Sequence, residues 1–88
     1  MSSTSNLSAL HVKIYSPFMM YFNGDALSLS AVNETGPFDI LPQHHKLLAL
    51  LVSSDVVVRL LDGGMKKFSI NGGVIHVKDD QATIFLDV

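Results

Sequence analysis

Four histidines, His11, His44, His45 and His76, are the residues of this chain best suited to metal chemistry or proton transfer. Imidazole serves as a metal ligand and as an acid or base near neutral pH. Their spacing argues against the metal role, and an enzyme reading survives only through these histidines. His44 and His45 are adjacent, so on an extended backbone they point to opposite faces and do not easily chelate one ion together. No carboxylate or thiolate stands at a ligand spacing from them, and the chain has no cysteine. Serines are plentiful, but none sits in a Gly-x-Ser-x-Gly elbow that would expose a nucleophile. The carboxylates of Asp25, Glu34, Asp39, Asp55, Asp62, Asp79, Asp80 and Asp87 mostly flank turns, where they accept backbone hydrogen bonds. Asp62-Gly63-Gly64 and Asn71-Gly72-Gly73 are glycine-rich, yet neither opens a helix, as a phosphate cradle requires. Both read as hairpin turns, and Asp79-Asp80 reads as a solvated turn. The residues therefore predict no catalytic group, no metal, no cofactor and no small-molecule substrate.

The elements that would position these side chains are short strands. Residues 1–9 are mostly serine, threonine and asparagine and read as a flexible tail, leaving residues 10–88 as one domain. Leu10, Val12 and Ile14 alternate with His11, Lys13 and Tyr15, the period of a half-buried strand. Ser16-Pro17 stops it. Phe18 to Phe22 runs to Asn23-Gly24, a two-residue turn signal. Leu27, Leu29 and Ala31 then alternate with Ser28, Ser30 and Val32, which predicts a strand with one serine-lined face. Asn33 to Pro37 is a loop by composition. Phe38 to Leu41 is extended, because Pro42 disfavours a helical Leu41. Leu47 to Val52 fits a buried strand. Val56 to Leu61 ends at the turn Gly63-Gly64, Phe68 and Ile70 alternate up to Gly72-Gly73, and Val74–Val77 and Ala82–Leu86 complete the set. Strands broken so regularly by turn chemistry predict an all-β, two-sheet sandwich of about ten short strands.

Composition sharpens this. Only 16% of the 88 residues are charged while 48% are apolar, against about 25% charged in ordinary soluble domains. The longest unbroken apolar run is Leu47 to Val52, far short of the roughly 20 residues of a membrane-spanning helix. The N-terminal stretch lacks the charged start and apolar block of a signal peptide. Six basic and eight acidic residues nearly balance, and aromatics are not interleaved with Lys or Arg, so nucleic acid is not an expected partner. Either the core is unusually rich or apolar surface is left outside for a partner.

One stretch carries more than β character. Gly36-Pro37-Phe38-Asp39-Ile40-Leu41-Pro42-Gln43-His44 resembles the Gly-Glu-Phe/Leu-Gly-Ile-Leu-Pro-Gly-His segment of the epsilon subunit of F-type ATP synthases. His11-Val12-Lys13-Ile14-Tyr15-Ser16-Pro17 is similar to the opening strand of that family, Phe22-Asn23-Gly24 to its Phe-Ser-Gly turn, Asn71 to Val77 to Ser-Gly-Gly-Phe/Ile-Leu-Glu-Val, and Ala82 to Asp87 to Val-Thr-Val-Leu-Ala-Asp. The landmarks stay in register from His11 to Asp87 without insertion or deletion. The sequence departs from the pattern at Pro37, Asp39 and Gln43, and Ser53-Ser54 replaces a Pro-Gly turn.

The resemblance implies the N-terminal β-sandwich of a non-catalytic rotor subunit in the central stalk of a proton-transporting rotary ATPase, serving ATP synthesis. Most members continue into a C-terminal helical hairpin, and this chain is expected to lack it, as a naturally short subunit or an excised domain. The implied partners are the gamma subunit and the c-ring, which make it a peripheral membrane protein on the cytoplasmic face of a bacterial inner membrane, or the organelle equivalent. Carried over by position, the gamma-subunit candidates are Phe38, Leu41, Pro42, Gln43, His44 and His45, and the c-ring contact candidates are Asn33, Glu34, Thr35, Gly36 and Pro37. Asn23, Gly24, Gly63, Gly64, Gly72 and Gly73 are the expected structural turns. The departures in the signature loop favour one alternative, a stand-alone protein-binding module of the same fold that no longer serves a synthase.

Overall fold

The computed structural model describes residues 9–43 and 46–86. The expected tail therefore lies outside the described residues except for Ala9, as do His44, His45, Asp87 and Val88. Among the described residues there are eight strands: β1 (Leu10–Tyr15), β2 (Met20–Asn33), β3 (Gly36–Ile40), β4 (Leu47–Leu51), β5 (Ser54–Leu60), β6 (Met65–Ile70), β7 (Gly73–Lys78) and β8 (Gln81–Leu86). They form one curled sheet in the order β4-β7-β8-β1-β2-β5-β6, with β3 also on β2. All neighbouring pairs are antiparallel except β1 and β8, which run parallel.

β2 makes a sandwich of this sheet. It is 14 residues long, and the residues expected to form two strands are continuous in it. Asn23 and Gly24 do not turn the chain; they pair with Lys13 and Val12 of β1. The ring of Phe22 lies over the bare Cα of Gly24 and replaces the side chain that glycine lacks. The register slips between Ala26 and Ser28, a bulge that adds a residue and bends the strand. Before the bulge β2 pairs with β1; after it, β3 takes that same edge while β5 holds the other. Layer one is thus β4-β7-β8-β1 with the first half of β2, and layer two is β3, the second half of β2, β5 and β6.

The bulge also reverses which residues face inward. Ser28 is buried and Leu27 exposed, against the simple alternation expected of a serine-lined face. Elsewhere the alternation holds. Leu10, Val12 and Ile14 of β1, Ile75 and Val77 of β7, Ala82 and Ile84 of β8 and Val56 and Val58 of β5 are fully buried. Each large aliphatic side chain withdrawn from water contributes about 1.5–3 kcal/mol. Among the described residues the core holds no aromatic ring: Phe22, Phe38 and Phe68 pack only at its margin.

Of the two glycine-rich connections expected to be hairpin turns, one is a hairpin and the other is not. Asp62-Gly63-Gly64 closes the β5–β6 hairpin, Asp62 Oδ1 accepting from Gly64 N at 2.8 Å. Asn71-Gly72 is not a hairpin, because β6 and β7 do not pair; it carries the chain from layer two to layer one. There Gly73 comes so close to the Phe85 carbonyl that no Cβ fits.

Candidate functional site

The curled sheet has two poles. At one lie the Ser16–Met19 turn, the β2–β3 turn and the Asn71–Gly73 connection; at the other lie Gln43, the Asp79-Asp80 turn and the His11–Asp25 pair. The sequence-predicted candidates divide between them.

The turn Asn33–Gly36 is built by its own side chains. Asn33 Oδ1 accepts from the Thr35 amide at 2.9 Å and from Thr35 Oγ1 at 2.7 Å, an Asx turn that leaves Glu34 exposed at the tip. Gly36 follows at a φ of 126°, a conformation that glycine alone adopts without strain. The turn borders Ala49 and Leu50 of β4 across a shallow cleft.

The segment from Phe38 to Gln43 runs from this pole to the other. Phe38 packs against the core margin and Ile40 is fully buried. Leu41 is 58% exposed. Gln43 has a φ of 69°, in the region that explains the glycine of the family pattern at this position. Its amide donates to Asp80 Oδ1 at 2.5 Å, tying the segment to the β7–β8 turn. The other departure, Asp39, is also accommodated: the Ser30 hydroxyl donates to Asp39 Oδ1 at 2.5 Å and accepts from Arg59 Nη1 at 2.9 Å, linking β3, β2 and β5 on the outside of layer two. His44 and His45 lie outside the described residues.

The remaining histidines do not converge. His11 Nδ1 lies 3.0 Å from Asp25 Oδ1 and Nε2 lies 2.6 Å from Asn23 Oδ1. Each nitrogen faces an acceptor, so the doubly protonated ring is the form that satisfies both. The hydrogen bond to Asp25, then that to Asn23, holds the imidazole above its ordinary value of about 6.5. His76 stands across β8 from β1, one register step away, beside Thr83 and Leu48. Among the described residues no three metal-ligating side chains cluster.

One further feature is an apolar surface that the sequence located only by segment. On the outside of layer one, cross-strand partners line up as Leu50 with Val74, Val74 with Phe85, Phe85 with Tyr15 and Tyr15 with Met20. Tyr15 and Phe85 meet edge to face, their ring centroids 5.2 Å apart. This apolar row crosses five strands, with Leu48 beside it and the β1–β2 turn beyond it. The Ser16 hydroxyl shapes that turn by accepting from the amides of Phe18 and Met19 at 3.2 and 3.3 Å. Phe18, 84% exposed, stands at its tip. The next two rows, through His76, Thr83, Lys13 and Asn23 and then Lys78, Gln81, His11 and Asp25, are polar. Much of the exposed apolar surface is therefore gathered at one end of this face, while Leu27, Leu41, Leu61 and Met65 are exposed elsewhere. In Leu47–Leu51 an unbroken apolar run carries no alternation, so only the strand register shows that Leu48 and Leu50 point outward.

Residues 9–88 match the β-sandwich domain model of the ATP synthase delta/epsilon chain. The chain belongs to this family. Among relatives of the epsilon type, it is 33% identical over 81 residues to the ATP synthase epsilon chain of a Nitratiruptor species, covering 92% of this chain and 63% of that one. It is 36% identical over 78 residues to the ATP synthase epsilon chain of Micrococcus luteus, covering 89% and 86%. The chain thus spans less than two thirds of the first of these relatives. The epsilon-type sandwich also superimposes, with a TM-score of 0.84 and 16% identity, on a chain of the cryo-EM structure of Euglena gracilis mitochondrial ATP synthase, OSCP/F1/c-ring in rotational state 1, over 90% of this chain and 51% of that one. A chain from the Tetrahymena thermophila mitochondrial ATP synthase central stalk/c-ring structure gives 0.74 and 19%, over 89% of this chain and 63% of that one. At these identities the likeness is one of fold.

Proposed function

We propose that the chain acts as the β-sandwich of a central-stalk subunit in a proton-translocating F-type ATP synthase, joining the gamma subunit to the c-ring and catalysing nothing itself. One observation carries the reading: a five-strand apolar row with an exposed turn at its end. A contiguous apolar face of this kind marks a protein contact. The names of the relatives, and the F1/c-ring and central stalk/c-ring assemblies that hold the similar folds, support partners within a synthase. The row and Leu41, Pro42 and Gln43, together with His44 and His45, are the proposed gamma-facing elements; Phe38 contributes through the core margin. The Asn33–Pro37 turn, with Glu34 at its tip, is the proposed contact to the polar loops of the c-ring. The subunit would then sit peripherally on the cytoplasmic face of a bacterial inner membrane, or its organelle equivalent.

Co-expression with the gamma subunit of the same source tests this. The wild type should co-purify at micromolar concentration, and Phe85→Asp should abolish the complex with little change in Tm, since Phe85 is partly exposed. Glu34→Lys should leave the gamma complex intact and weaken attachment to the c-ring. Failure of the wild type to bind gamma would instead favour a binding module outside the synthase.

A further inference from the structure

The outer face of layer one changes character over a single row. Next to the apolar row of Leu50, Val74, Phe85, Tyr15 and Met20 lies the row of His76, Thr83, Lys13 and Asn23. Lys13 is the one member of this second row with a permanent charge. It stands two residues from Tyr15 on β1, between Thr83 of β8 and Asn23 of β2, both uncharged. Among the described residues Lys13 forms no ion pair. The carboxylate of the third row, Asp25, is engaged by the His11 ring at 3.0 Å, and the other ring nitrogen holds Asn23. A half-buried lysine without a counter-charge, set against an apolar row, leaves one charge for a partner to meet.

The row has the length and width of one helix. Five adjacent strands about 4.8 Å apart place Met20 roughly 19 Å from Leu50, the rise of about 13 helical residues. Residues two apart on a strand are separated by about 6.8 Å, whereas a helix with its side chains is about 10–12 Å across. A helix laid along the row therefore covers it with an apolar stripe and brings its flank over Lys13.

We propose that Lys13 is a specificity-determining residue of this face, and that the partner segment on the row is an amphipathic helix with an aspartate or glutamate on the flank that meets Lys13. This pairing rests on the reading of the row as the gamma-facing surface and adds the chemistry by which that partner is told from other apolar segments. A helix with lysine or arginine on the same flank meets Lys13 with like charge and is rejected.

Two measurements test the pairing, one of them without gamma. Affinity for the gamma subunit of the same source is compared for wild type, Lys13→Glu, Lys13→Gln and Lys78→Glu, each shown by circular dichroism to be folded. Lys78 stands on the third row, so its reversal repeats the change in net charge away from the contact. Lys13→Glu should weaken the complex about tenfold or more at about 50 mM salt, and Lys78→Glu less than about threefold. Lys13→Gln should lose part of the affinity and most of its salt dependence. Equal losses in Lys13→Glu and Lys78→Glu would reduce the effect to net charge and overturn the proposal. The second measurement titrates two synthetic helical peptides against isotopically labelled protein, followed at the amides of Lys13, Tyr15 and Thr83. Both peptides carry the same leucine stripe, flanked by glutamate in one and by lysine in the other. The glutamate peptide should bind about fivefold or more tightly, and Lys13→Glu should reverse the order. That result upholds the pairing even where gamma fails to bind, in which case the gamma reading alone falls. No preference between the peptides, or a preference that Lys13→Glu leaves in place, would overturn the proposal.

Discussion

Replacing Gly73 by alanine isolates one steric contact. Gly73 opens β7 between Leu51 of β4 and Leu86 of β8, and its φ lies outside the left-handed region. Alanine is therefore free of backbone strain there, and only space is at issue. A methyl carbon on Gly73 would stand 2.6 Å from the Phe85 carbonyl oxygen and 3.4 Å from Leu86 Cα. Both atoms are main chain, so no side-chain rotation relieves the clash; β8 must retreat by several tenths of an ångström. Forcing a methyl into a packed site costs about 1–3 kcal/mol. In a domain of this size each kcal/mol lowers Tm by roughly 4–8 °C, so Gly73→Ala should melt about 5–20 °C below wild type. Gly24→Ala is the matched control: its Cβ meets only the Phe22 ring, at 3.4 Å, which is ordinary contact. Its Tm should stay within about 4 °C of wild type. Thermal melts by circular dichroism decide the matter. A Gly73→Ala loss below about 2 °C, or an equal loss in Gly24→Ala, would refute the close approach of β7 and β8.

Two further outcomes follow from the polar pole. Because His11 is raised above its unfolded value, the stabilisation from its pair with Asp25 is fully present below about pH 6.5 and is lost as pH rises through the folded pKa. The Tm difference between wild type and Asp25→Asn should therefore be largest near pH 5.5 and fade by pH 8.5, amounting to no more than about 0.5 kcal/mol because the pair is exposed; a difference independent of pH removes His11 as its source. Gln43→Gly relieves a left-handed glutamine while leaving the amide that donates to Asp80. It should raise Tm by a few degrees, about 0.5 kcal/mol net of the added freedom of the unfolded chain, and a lower Tm would contradict the assigned backbone conformation.

Strand identity was legible where local and global preferences agree. β1, β7 and β8 follow the period of two, and their inward residues are the fully buried ones. Asn23-Gly24 misled because turn propensity is local, whereas the pairing of β2 with β1 and the cover from Phe22 act across strands. The bulge at Leu27 was invisible for a related reason: it inserts one residue relative to β5, a partner distant in sequence, and reverses the phase of all that follows. Leu47–Leu51 looked buried by composition, yet it is an edge strand with two leucines in water, and composition does not report position within a sheet. Of the candidate site, the resemblance marked the segments, but only strand register shows that Asn33–Pro37 and Leu41–Gln43 stand at opposite poles. The apolar row comes from five separate strands and needed the topology to assemble.

The absence of aromatic rings from the core has a spectroscopic consequence. The chain has no tryptophan and two tyrosines, and both Tyr15 and Tyr21 lie outside the buried core, at or next to the apolar row. Near-ultraviolet absorption and emission from this protein therefore originate almost wholly at that surface, with the aliphatic interior silent. A partner settling on the row changes the surroundings of both tyrosines at once, so docking can be followed optically without a label, while core mutations such as Ile84→Val pass nearly unseen.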